Sequence, residues 1–73
     1  MAKKSTSAVY KIVDVIGTSP TSWEEAARNA VKTASKSLRD LRIAEVVKLD
    51  VKVDNGKVTA FRTRLSLSFK YSS

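Results

Sequence analysis

Seventy-three residues, 14 Lys and Arg against 7 Asp and Glu, and a formal charge of +7 describe a short basic chain with neither cysteine nor histidine. Those two absences exclude disulfides, thiolate chemistry, His–Cys zinc sites and every catalytic dyad or triad built on imidazole or thiol. The length holds one domain, and below roughly 70–80 residues a fold commonly needs disulfides, a metal or oligomerisation, so association between copies is the expected support.

Residues 1–7 read as a flexible basic arm and residues 8–73 as a single domain. Val9 to Gly17 is a strand rich in β-branched residues. Val9, Val13 and Val15 lie on one side of it and Tyr10, Ile12 and Ile16 on the other. One side can pack on a helix; the other finds no cover in so small a domain and points to a neighbouring subunit. Gly17-Thr18-Ser19-Pro20 then turns the chain.

The spacing predicts one helix, from Ser22 to about Leu41. Trp23, Ala26, Ala27, Ala30, Val31, Ala34, Leu38 and Leu41 recur at i, i+3 and i+4 and form one apolar stripe. Ser22 followed by Glu25 is a capping box, and the carboxylates of Glu24 and Glu25 suit the positive end of the helix dipole. Lys36, Arg39 and Arg42 stand at the complementary end. A stripe made mostly of alanine leaves the helix slim, so a sheet can approach it closely.

Ile43 to Val53 alternates, with Ile43, Val47, Leu49, Val51 and Val53 facing one way and Glu45 as a polar intruder among them. Lys57 to Tyr71 alternates likewise, with Phe61, Leu65, Leu67, Phe69 and Tyr71 opposed to Arg62, Arg64, Ser66, Ser68 and Lys70. A two-residue Asn-Gly loop would oppose Leu49 to Arg62 and mix the two faces. A three-residue Asp54-Asn55-Gly56 loop aligns them, which predicts a type I turn closing in a bulge, with Gly56 left-handed.

The order is therefore β-α-β-β, an α+β fold. With the last strand between the other two, every pairing is antiparallel and the sheet can curl over one helix. Two edges without proline then remain open to pairing with other chains, a second reason to expect an oligomer.

Each candidate site has a plainer alternative. The turn ahead of the helix could hold a phosphate on its amides, but it has neither a Walker nor a dinucleotide glycine pattern and reads as a capping turn. Asp50, Asp54, Asn55 and Gly56 lack the ligand spacing and closing glutamate of a calcium loop, so turn chemistry accounts for them. No metal site is assigned within the chain, while oxygen ligands assembled between subunits stay open. Trp23 lies on the apolar stripe and is read as core. No pair of carboxylates is set for acid–base work, so the chain is read as a binding or storage module rather than an enzyme.

The charge favours anionic partners, yet the cations are scattered and only Lys3 and Lys4 are adjacent, so a solvated basic surface is the first reading. No apolar run approaches the ~20 residues of a membrane span, and MAKKSTSA has no apolar segment behind it as a secretory signal would. A cytoplasmic location without membrane contact is expected.

The stretches VYKIVDVIGTSPTSWEEAARNAV, LRDLRIAEV and VTAFRTRLSLSFKY together resemble the dodecins, over Val9 to Tyr71. The resemblance implies a three-stranded antiparallel sheet curled around one helix, assembled as a hollow homododecamer of cubic 23 symmetry. It also implies sequestration of flavin, riboflavin or FMN, as stacked pairs at subunit contacts. Where flavin-binding members carry a stacking tryptophan this chain has Ile43, and where they carry a glutamine on the pyrimidine edge it has Arg62. Ile43, Glu45 and Arg62 are the cofactor-binding residues so implied. Ile43 offers an apolar wall without a ring; Arg62 donates but cannot accept from a flavin N–H.

Three readings follow: a flavin-holding shell, a shell that has lost flavin and holds another ligand or a metal ion, and a basic nucleic-acid-binding module using Lys48, Lys52, Arg62 and Arg64. The third is the least favoured, because the cations are dispersed.

Overall fold

The computed structural model describes residues 9–70, in the order β1 (Tyr10–Ser19), α1 (Trp23–Ala34), β2 (Leu41–Asp54) and β3 (Lys57–Lys70). The expected basic arm and the two ends of the expected domain lie outside the described residues. The three strands form one sheet in the order β1-β3-β2, and both pairings are antiparallel. The last strand is thus the middle one, as the need for antiparallel neighbours required.

The helix lies over β1 and β3 and barely reaches β2. Ala26 and Ala30 on its inner side are buried against Leu65 and Leu67 of β3, and Val15, Ala27, Val31, Ala34, Leu38 and Leu41 pack around them. Alanine at the contact lets the helix backbone descend onto the sheet. The approach is closest at Gly17, where a β-carbon would lie 2.0 Å from the Ala26 carbonyl oxygen. Thr63, 1% exposed, donates its hydroxyl proton to the Trp23 carbonyl at 2.9 Å and ties the middle strand to the first turn of the helix.

The helix ends at Ala34, seven residues before the expected Leu41. Its bonds tighten there: Lys36 N–H reaches the Thr33 carbonyl and Ser37 N–H the Ala34 carbonyl, an i to i+3 pattern that closes a helix. Serines at 35 and 37 favour such ends, and Asp40 at φ 56° reverses the chain into β2. Leu38 and Leu41 still meet the core, one from the turn and one from the strand. Helical spacing alone could not separate those routes.

The hairpin also differs from expectation. Asp54 pairs with Lys57 and Val53 with Val58, so the loop is the two residues Asn55 and Gly56, at φ 51° and 76°. Two left-handed residues in succession make the turn that suits the twist of a hairpin. Gly56 is left-handed as anticipated, but the three-residue loop is not formed. The facing problem is solved further along the strand, by a bulge at Thr59 that opposes Lys52 to Ala60 and Leu49 to Thr63. The Thr59 hydroxyl supports it, bonding the Asp54 carboxylate at 3.0 Å.

A second bulge lies at Val47, between the pairs Val46–Leu65 and Lys48–Arg64. It changes which face β2 presents. Before it, Ala44 and Val46 turn toward the helix side and Ile43 and Glu45 away; after it, Leu49 and Val51 turn toward the helix and Lys48 and Asp50 away. Glu45 is therefore no intruder on an apolar face. The strict alternation expected from Ile43 to Val53 fails because one extra residue reverses its phase.

Candidate functional site

The face of the sheet turned from the helix carries the residues implied for a site. Register arranges them in rows across β1, β3 and β2: Ile12, Ser68 and Ile43; Asp14, Ser66 and Glu45; Ile16, Arg64 and Lys48; Thr18, Arg62 and Asp50. Ile43, 59% exposed, and Glu45 are near neighbours on β2. Arg62 is not beside them: it lies six residues along β3 from Ser68, the partner of Ile43, or about 20 Å at strand rise. Within one chain the three share a face but do not form one cluster.

Arg62 is already engaged. Its Nε donates to Asp50 Oδ1 at 2.7 Å and its Nη2 to Asp50 Oδ2 at 3.0 Å, a two-point clamp across adjacent strands. The guanidinium holds the Asp50 carboxyl below its usual range, helped by the charges of Lys48 and Arg64, and Asp50 in turn raises Arg62. Ile16, Lys48, Asp50, Arg62 and Arg64 enclose a hollow of about 190 Å³.

Asp50 is held from the other side as well. The Trp23 indole Nε1–H donates to its carbonyl at 2.9 Å, and the ring meets Phe61 edge-on, centroids 5.1 Å apart at 73°. Trp23 is 39% exposed, so it closes the rim of the core rather than filling its centre. Asp50 drew attention in the sequence only as part of a calcium-loop pattern. Its pairing with Arg62 becomes legible once the bulge at Thr59 sets the register.

The other candidates resolve as local structure. Ahead of the helix, the Ser19 hydroxyl accepts from the Thr21 amide at 3.0 Å, and the Ser22 hydroxyl accepts from the Glu25 amide at 3.0 Å. The Glu25 carboxylate accepts from the hydroxyls of Thr21 and Ser19, and those bonds lower its pKa. The reciprocal bond of a capping box is thus replaced by two side-chain donors, and the turn caps the helix. Asp54 is occupied by Thr59 and, at 4.0 Å, by Lys52. Among the described residues no three His, Cys, Asp or Glu side chains gather to hold a metal, and no helix is long and apolar enough to cross a membrane.

Comparison with known proteins agrees with this architecture. The dodecin family profile matches residues 9–72. The chain is 53% identical over 64 residues to the calcium dodecin of Mycobacterium tuberculosis, covering 86% of this chain and 89% of that protein. The crystal structure of a calcium dodecin from the same organism, described as a calcium-chelating antigen with a novel calcium-binding site, superposes with a TM-score of 0.78 at 51% identity. That match covers 88% of this chain and 91% of that one. The dodecin of Streptomyces coelicolor superposes with a TM-score of 0.87 at 34% identity, over 93% of this chain and 97% of its own.

Proposed function

The chain belongs to the dodecin family, and on that premise we propose that it is a non-catalytic sequestering protein, a hollow homododecamer that holds a small ligand between its subunits. The observation that carries this is the imbalance between core and surface. Only Ala26, Ala30, Leu65 and Leu67 form the fully buried apolar core, while eleven large apolar side chains stand exposed among the described residues. The fold measures 59 × 20 × 16 Å with a radius of gyration of 15.4 Å, against about 11 Å for a free-standing compact domain of this length. Burial of Ile12, Ile43 and Val46 against other copies would extend the core, at about 25 cal/mol for each Å² removed from water.

Two ligand classes follow. Flavin, riboflavin or FMN, is the class the family resemblance implies, with Ile43, Glu45 and Arg62 from neighbouring subunits lining the site. Against it, Ile43 supplies no ring, and an aromatic stack is worth about 0.5–1.5 kcal/mol beyond burial. Arg62 is also committed to Asp50. The second class is a divalent cation, favoured by the similarity to a calcium dodecin. Asp14 and Glu45, with Ser66 between them, offer oxygen ligands on the same face, which is the donor type calcium takes. We favour the cation, with ligands contributed by more than one subunit.

Titration of the purified assembly separates the classes. Saturable calcium binding by calorimetry, weakened in Glu45→Gln, with riboflavin and FMN fluorescence unquenched, supports the cation. Stoichiometric quenching of either flavin without a calcium signal overturns that choice in favour of flavin.

A further inference from the structure

Lys48 and Arg64 stand directly opposite one another on β2 and β3. Like charges in that relationship repel. Among the described residues neither side chain makes a hydrogen bond or an ion pair. The one carboxylate lining the hollow, Asp50, gives both its oxygens to the two-point clamp of Arg62, and Lys48 and Arg64 act on it through charge alone. Three cations and one anion therefore surround the hollow of about 190 Å³ floored by Ile16, a volume on the order of six water molecules. Among the described residues that line it, the hollow keeps a net excess of two positive charges.

We propose that this hollow binds a phosphate group, with Lys48 and Arg64 as its ligands and the Asp50–Arg62 pair as the wall that fixes its size. A tetrahedral oxyanion placed between Lys48 and Arg64 accepts charge-assisted bonds from both and converts their repulsion into a bridge. Arg64 supplies a planar fork and Lys48 a point charge, a combination suited to phosphate oxygens. Ile16 gives the floor no hydrogen bond to offer, so the contacts come from the sides. All five lining residues belong to one chain. Because Arg62 is also a residue of the flavin reading, the phosphate site rests on the cation reading of the proposed function, in which that wall stays free of flavin.

The test is titration of the full-length chain with inorganic phosphate, followed by calorimetry and by phosphorus NMR line width. About one phosphate per chain is expected, weakened about tenfold or more in Lys48→Gln/Arg64→Gln. Arg28→Gln/Lys32→Gln removes the same charge from the helix and leaves binding unchanged. Native mass, read on every variant, separates loss of the site from loss of the assembly. A simple phosphate monoester that binds more tightly than the free ion marks the site as a grip on the end of a larger molecule; the reverse order marks it for the free ion. Absence of saturable phosphate binding in the parent chain, equal weakening by the helix variant, or retention of duplex DNA without phosphate saturation overturns the proposal.

Discussion

Gly17 lies directly beneath Ala26: a β-carbon added there would be 2.0 Å from the Ala26 carbonyl oxygen and 2.8 Å from the Ala30 β-carbon. The obstacle is helix backbone, which cannot move without lifting α1 off the sheet. Gly17→Ala is expected to cost about 3 kcal/mol, the upper range for overpacking, read as a fall in the urea midpoint at fixed protein concentration. A midpoint equal to that of the parent chain would mean that the helix does not sit so close.

Gly56 is needed for a different reason. A β-carbon there meets nothing within 4 Å, but φ is 76°. Gly56→Ala is expected to cost about 1–2 kcal/mol through left-handed backbone strain alone. Chemical shifts in α1 should stay unmoved, because the hairpin tip is remote from it. Loss of helix signals would show that the turn and the core are coupled.

Acid should expose the clamp. Asp50 and Glu25 both titrate below their ordinary values in the folded chain, so the folded state binds fewer protons than the unfolded one as both ionise. Their contribution is full above about pH 4.5, the ordinary carboxylate range. It is lost as pH falls through the depressed values. Asp50→Asn should lower the melting temperature at pH 7, and the gap to the parent chain should narrow as pH falls below the ordinary aspartate range, in thermal scans from pH 7 downward. A constant offset at every pH would contradict the assignment. With no histidine or cysteine in the chain, side-chain titration leaves stability nearly flat between pH 6 and 8.

Trp23 offers a spectroscopic handle, being the sole tryptophan. Trp23→Phe keeps a ring near Phe61 and removes the donor to the Asp50 carbonyl, an expected loss of about 1 kcal/mol. In the parent chain, Asp50→Asn should leave the near-ultraviolet tryptophan signal intact, since the bond is to backbone. Loss of that signal would place the indole elsewhere.

The residues show why the fold was more legible than the site. Alternation, the Ser22 cap and the Asn-Gly pair speak locally, and they placed three strands, one helix and the left-handed Gly56. Antiparallel pairing throughout argued for the last strand in the middle, where the sheet order β1-β3-β2 has it. What escaped depends on long-range competition. Leu38 and Leu41 satisfy helical spacing while serving a turn and a strand. Parity along β2 can be corrected by a bulge anywhere in the hairpin, and the chain uses Thr59 and Val47 rather than the loop. That choice sends Ile43 and Glu45 to the face shared with Arg62, pairs Arg62 with Asp50, and sets Lys48 against Arg64. The order of residues contains every partner, but only register makes them partners.

Self-association underlies the proposed shell and any ligand site between its subunits. Sedimentation equilibrium of the full-length chain at micromolar concentration measures it directly. A single species of about 96 kDa, twelve copies of the 8.0 kDa chain, is predicted. A mass of 8.0 kDa that persists as concentration rises would contradict it, since the exposed apolar face and the open edges of β1 and β2 would then have no partner.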